Sequence, residues 1–155
     1  MDIKELKPTS IWHYFDAITG VPRPSKKEER IREFLLNFAK EQNLEVKVDK
    51  TGNVVITKEA TPGCEGAPTV ILQAHMDMVC EKNGDVKHDF ERDPIETYID
   101  GEWVKARGTT LGADNGIGMA AAMAVLADKE LKHGRIQALF TVDEETGLTG
   151  AFGLE

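Results

Sequence analysis

Aromatic residues are scarce, at 6% of the chain, and there are only two cysteines, Cys64 and Cys80. With no second pair, these thiols fit neither a disulfide framework nor a four-thiolate zinc site, and they read as reduced cysteines of a cytoplasmic protein. Long hydrophobic runs are missing as well. Nothing approaches the roughly 18 apolar residues that span a bilayer, and the opening Met1-Asp2-Ile3-Lys4-Glu5 has no apolar signal core. Basic residues are outnumbered, 19 Lys plus Arg against 27 Asp plus Glu, for a net charge of −8. That field opposes phosphate backbones and anionic lipid, so neither nucleic acid nor a membrane is expected as a partner. What remains is a chain of 155 residues, 41% hydrophobic and 30% charged, the composition of one globular domain. A domain of this size buries about 70% of its unfolded surface.

The hydrophobic pattern places the elements. A short helix is expected from Ile11 to Thr19 with Ser10 as its cap, stopped by Gly20 and the Val21-Pro22-Arg23-Pro24 segment. Ser25 and Glu28 have capping-box spacing ahead of Ile31, Phe34, Leu35 and Phe38, which share one helical face as far as Gln42. Alternation predicts a hairpin, Leu44 to Val48 and Asn53 to Thr57, and a second one from Glu96 to Ala106 turning at Asp100-Gly101. Thr69 to Ala74 and Ile136 to Val142 run almost without polar interruption, as strands buried on both faces do. Asn115 to Asp128 is apolar nearly all round and reads as a sandwiched helix. The order predicts an α/β fold, a sandwich built on a mixed sheet. The last residues, Gly150 to Glu155, stop where a covering helix is expected to begin, so the chain reads as a fragment.

Three loops carry chemistry. His75 and Asp77 follow the Thr69 to Ala74 strand and are two apart, so on extended backbone they share a side. They suit two metal ligands, a ligand with its orienting acid, or simply a hydrogen-bonded pair at a strand end. Asp114 opens the apolar helix from a loop with four glycines between Gly108 and Gly118. A helix cap explains the Asp but not the glycines. Neither dinucleotide nor Walker spacing is present, which leaves close backbone approach to a bound ion. Asp143, Glu144 and Glu145 end the last strand, where three successive carboxylates repel unless a cation neutralises them. Neighbouring side chains diverge, so one of Glu144 and Glu145 can bind metal while the other meets water; a solvated acidic turn is the alternative. A set of His, Asp and Glu without thiolates suits zinc, manganese or cobalt. His88 to Asp93 reads as a solvated loop, His13 and His133 as structural or exposed, and Cys80 as a buried thiol without an activating pair.

The segments Gln73 to Asn83, Gly108 to Gly116 and Asp143 to Gly147 closely resemble the aminoacyl-histidine dipeptidases, the peptidase D or Xaa-His dipeptidase family of the dizinc aminoacylase/carboxypeptidase G superfamily. The resemblance runs in order over nearly the whole chain. It implies a zinc-peptidase-like catalytic domain in which His75 binds one zinc, Asp114 bridges two and Glu145 binds the other. Asp77 would orient His75, Glu144 would be the general base, and the bond after Asp114 would be cis. It further implies two zinc ions, with manganese or cobalt as alternatives, a dipeptide substrate and a homodimer.

The same family pattern requires a further Asp and a distant His, together with a lid domain, none of which lies within these 155 residues. On this reading residues 1–155 are the N-terminal part of the catalytic domain, incomplete at the C-terminus. They are expected to bind metal weakly or not at all and to be inactive alone. The alternatives are an aminoacylase or carboxypeptidase of the same superfamily, and a noncatalytic metal-binding module.

Overall fold

The structure, a computed structural model, describes residues 2–155. A 3-10 turn (Ile3–Glu5) leads into α1 (Thr9–Thr19) and α2 (Glu29–Glu41), then strands β1 (Glu45–Val48), β2 (Val54–Lys58) and β3 (Val70–His75). A separate hairpin, β4 (Thr97–Asp100) and β5 (Trp103–Ala106), precedes α3 (Ala113–Ala127), β6 (Ile136–Thr141) and the single turn α4 (Thr149–Phe152). Four strands form one sheet in the order β1-β2-β6-β3, antiparallel except for the parallel pair β3 and β6. The fold is thus α/β with a mixed sheet, the class expected from the sequence.

Alternation explains how the sheet finds its inner face. Val54 and Ile56 of β2 are fully buried and stand opposite Phe140 and Ala138 of β6, also fully buried. Phe15 and Ile18 of α1, Ile31 and Leu35 of α2, and Met119, Met123 and Leu126 of α3 join these in one core. Each such side chain contributes about 1.5–3 kcal/mol on burial. Tyr14 and Phe38 meet edge to face, ring centroids 5.5 Å apart, and lock α1 to α2. No helix among the described residues is long and apolar enough to cross a membrane.

Several local expectations are corrected. β3 is not buried on both faces: it is an edge strand of this sheet, with Val70 51% and Ile71 61% exposed. Its apolar run is continuous, but only Leu72 and Ala74 turn toward the core. The first helix begins at Thr9, after the cis Lys7–Pro8 bond, and Ser10 does not cap it. The Ser25–Glu28 capping box does not form either, because both side chains are engaged across the fold, as described below. In the second hairpin Asp100 pairs with Trp103, so Gly101 and Glu102 make the turn, one residue later than expected. Gly101, at φ 61°, supplies the left-handed conformation there. Finally, α3 is not covered all round, since Ile117 is 38% exposed.

Candidate metal centre

β3 and β6 run parallel with His75 opposite Thr141, so both strands end at the same level and release their loops side by side. In an open α/β sheet this is where ligands bind. His75 is buried. Its Nδ1 lies 3.3 Å from Asp77 Oδ1 and 3.1 Å from the Asp77 carbonyl. Its Nε2 lies 3.0 Å from Asp114 Oδ1 and 3.8 Å from Glu144 Oε2. Burial disfavours the imidazolium, but hydrogen bonds to Asp77 and Asp114, with the charges of Asp77 and Glu144, outweigh it and raise His75 to about 9.

Asp77 is fully buried and joins the two loops. Its carboxylate accepts from Ser25 Oγ at 2.7 Å, from Glu144 N at 3.0 Å and from Glu145 N at 3.2 Å. Burial alone would raise its pKa. The bonds from His75, Glu144, Ser25 and Glu145 instead hold it well below the usual carboxylate range.

The acidic turn after β6 has a definite shape. Asp143 adopts φ 49°, and its carboxylate accepts from the hydroxyls of Thr146 and Thr149. Beyond that bend the backbone N–H groups of Glu144 and Glu145 both donate to Asp77. Donor atoms of His75, Asp114 and Glu145 all lie within 4.8 Å of one another. Burial raises the Glu145 carboxyl; Asp114, Glu144 and Asp77 add to the rise against the opposing pull of His75. Asp114 reaches the cluster with its side chain 84% exposed. It makes no cap hydrogen bond: α3 is entered through Gly112 at φ 71°, and the Asp114–Asn115 bond is cis.

Three residues of this region were not singled out from the sequence as site residues. Ser25 binds Asp77, as above. Glu28, 5% exposed, accepts from the backbone N–H groups of Lys26 and of Asp143, both at 2.9 Å. Arg23, 2% exposed, donates to the carbonyls of Met76, Asp77 and Gly112 at 3.1, 3.2 and 2.5 Å. The signal was an arginine between two prolines with a serine directly after them, too far along the chain from the motifs to be linked with them. The other histidines stand apart. His13 is exposed on α1, His88 meets Phe90 edge to face in a largely exposed loop, and His133 binds the Gly134 carbonyl. Cys80 is half-buried, and burial pushes its thiol up.

Chemically, one imidazole and several carboxylates crowd a single point without any thiolate. Their mutual repulsion suits a divalent cation such as zinc, manganese or cobalt. Fold and site together define an α/β protein with a metal-compatible acidic centre at the carboxyl ends of adjacent parallel strands. Residues 71–154 match peptidase family M20/M25/M40, and the chain belongs to that family.

It is 53% identical over 154 residues to the cytosol non-specific dipeptidase of Escherichia coli (strain K12), covering 99% of this chain and 32% of that protein. Among solved structures, the aminoacylhistidine dipeptidase of Vibrio alginolyticus superposes with a TM-score of 0.97 at 58% identity, over 100% of this chain and 32% of that one. An aminopeptidase PepT of Bacillus cereus gives a TM-score of 0.76 at 28% identity, over 94% of this chain and 39% of that one. The chain therefore spans about a third of the length of its two most similar relatives named here.

Proposed function

We propose that this chain is the N-terminal part of the catalytic domain of a metal-dependent dipeptidase. Its substrates would carry a free amino end, above all Xaa-His dipeptides such as β-alanyl-histidine. One observation carries the reading: His75, Asp114 and Glu145 converge, with Glu144 beside them, in a chain 58% identical to an aminoacylhistidine dipeptidase. The lid domain and the remaining metal ligands belong to sequence outside these residues, and the chain alone binds metal weakly or not at all and is inactive. The protein works in the cytoplasm as a homodimer.

His75, Asp114 and Glu145 would be the residues of this chain that hold the divalent ions, zinc in this reading. When bound, the ions acidify water and polarise the scissile carbonyl. Asp77 fixes His75 through its Nδ1 side, which sets the ring orientation and strengthens Nε2 as a donor. Ser25 and the backbone N–H groups of Glu144 and Glu145 keep Asp77 ionised for that task. The Glu144 carboxylate, near His75 but fixed by no hydrogen bond of its own among the described residues, accepts the proton of the attacking water and returns it to the departing amine.

The test is Glu144→Ala in the full-length protein. Metal content should stay as in the unaltered protein while turnover of β-alanyl-histidine falls by roughly 10²–10⁴-fold or more. Near-normal turnover overturns the assignment.

A further inference from the structure

The four glycines between Gly108 and Gly118, two before α3 and two in its first turns, exceed what a helix entry needs, and the structure shows what two of them approach. A Cβ on Gly112 would stand 2.6 Å from Arg23 Nη2, and one on Gly116 would stand 2.7 Å from the same atom. The cation against this backbone is one the chain itself supplies. Arg23 reaches it from the segment between α1 and α2.

Arg23 binds both loops that carry the metal-centre residues. Nη1 donates to Met76 O and Asp77 O, directly after His75, and Nη2 donates to Gly112 O, two residues before Asp114. Its own carbonyl accepts from Met78 N at 3.1 Å, so the contact with the loop after β3 is made by backbone as well as side chain. A buried charge costs several kcal/mol unless its donors are satisfied and a counter-charge lies near. Here three carbonyls fill the fork, and Asp77 is the neighbouring anion. Burial lowers Arg23 to about 10, which leaves it protonated at neutral pH. Core packing needs no such group; a spacer between two loops does. A planar guanidinium with nitrogens aimed two ways can hold both loops, whereas a single ammonium cannot.

We infer that Arg23 is a positioning residue that sets the separation of Asp114 from His75, and with it the affinity of the centre for metal. The absence of a side chain at Gly116 leaves room for its guanidinium, as it does at Gly112, where the left-handed φ of 71° also calls for glycine. The inference rests on the metal-dependent reading above, and the experiment separates the two.

Cobalt(II) is titrated into the full-length protein and into its Arg23→Lys and Gly116→Ala variants, with affinity and visible absorption as readouts and the melting of the metal-free proteins as control. Arg23→Lys keeps the charge but loses the fork. Gly116→Ala keeps Arg23 and favours helix formation, but its methyl displaces Nη2. Both are expected to lose about 10- to 100-fold in cobalt affinity, as loss of outer ligand support does, and to change the absorption spectrum. Folded variants with unaltered affinity and spectrum overturn the inference, whatever their melting temperatures, because Arg23 would then be only structural. Should Arg23→Lys fail to fold, Gly116→Ala decides by the same criterion. If the unaltered protein binds no cobalt, the metal-dependent reading falls and this one with it.

Discussion

Glu28 shows what one buried carboxyl can do beside such a centre. Burial raises it above its usual range, the backbone N–H groups of Lys26 and Asp143 oppose that rise, and the nearby charge of Asp77 adds to it. A carboxyl whose folded pKa exceeds its unfolded value contributes stability fully below the unfolded value and loses it as pH rises through the folded one. Glu28→Gln keeps an oxygen for both N–H donors and removes the charge. The variant should therefore gain stability relative to the unaltered protein as pH rises from about 4 toward 7, the range above a carboxyl's ordinary pKa. Urea unfolding at several pH values measures this, and a difference that does not vary with pH refutes it. Ser25 and Glu28 also show where local sequence misleads. Their spacing is that of a capping box, yet each finds a partner more than 50 residues away, Asp77 for one and Asp143 for the other.

At the scale of elements, the acidic turn after β6 is held from behind by the turn between β1 and β2. Asn53, 1% exposed, accepts from Val142 N at 3.0 Å and donates to Gly150 O at 2.9 Å and to Asp49 Oδ2 at 2.7 Å. Gly150 is glycine because a Cβ there would collide with the Val142 carbonyl and with Asn53. Asn53→Ala strands a buried N–H and a buried carbonyl at the two ends of the Asp143 to Thr149 loop. It should cost about 2–4 kcal/mol, seen as a lower urea midpoint with an unchanged slope. A loss below about 0.5 kcal/mol, the ordinary surface value, would mean that the loop holds its shape without this tether. The hairpins were legible because alternation and turn residues are local signals, and β6 because its apolar run is one too. The edge position of β3 was not, because an apolar run does not tell which neighbours the fold provides.

For the whole molecule, the edge strand has consequences. Val70 and Ile71 at the start of β3 present apolar surface on the edge strand of the sheet. Such edges pair with other chains. These 155 residues, expressed alone, should associate with rising concentration in sedimentation velocity, and Ile71→Lys should weaken the association. A monomer at every concentration tested, with or without the lysine, would show that the edge is not adhesive.

By itself the sequence located the candidate side chains and the elements they end: His75 and Asp77 after one strand, Glu144 and Glu145 after another, Asp114 at a helix entry. Those signals are short-range, written in periodicity, turn residues and motif spacing. Tertiary structure decided how the three loops are held against one another. The bonds that do so, from Arg23 to Gly112, Ser25 to Asp77 and Glu28 to Asp143, join residues 52 to 115 positions apart. They form only once β3 and β6 lie parallel and the segment between the first two helices crosses their ends, a juxtaposition that no local pattern encodes.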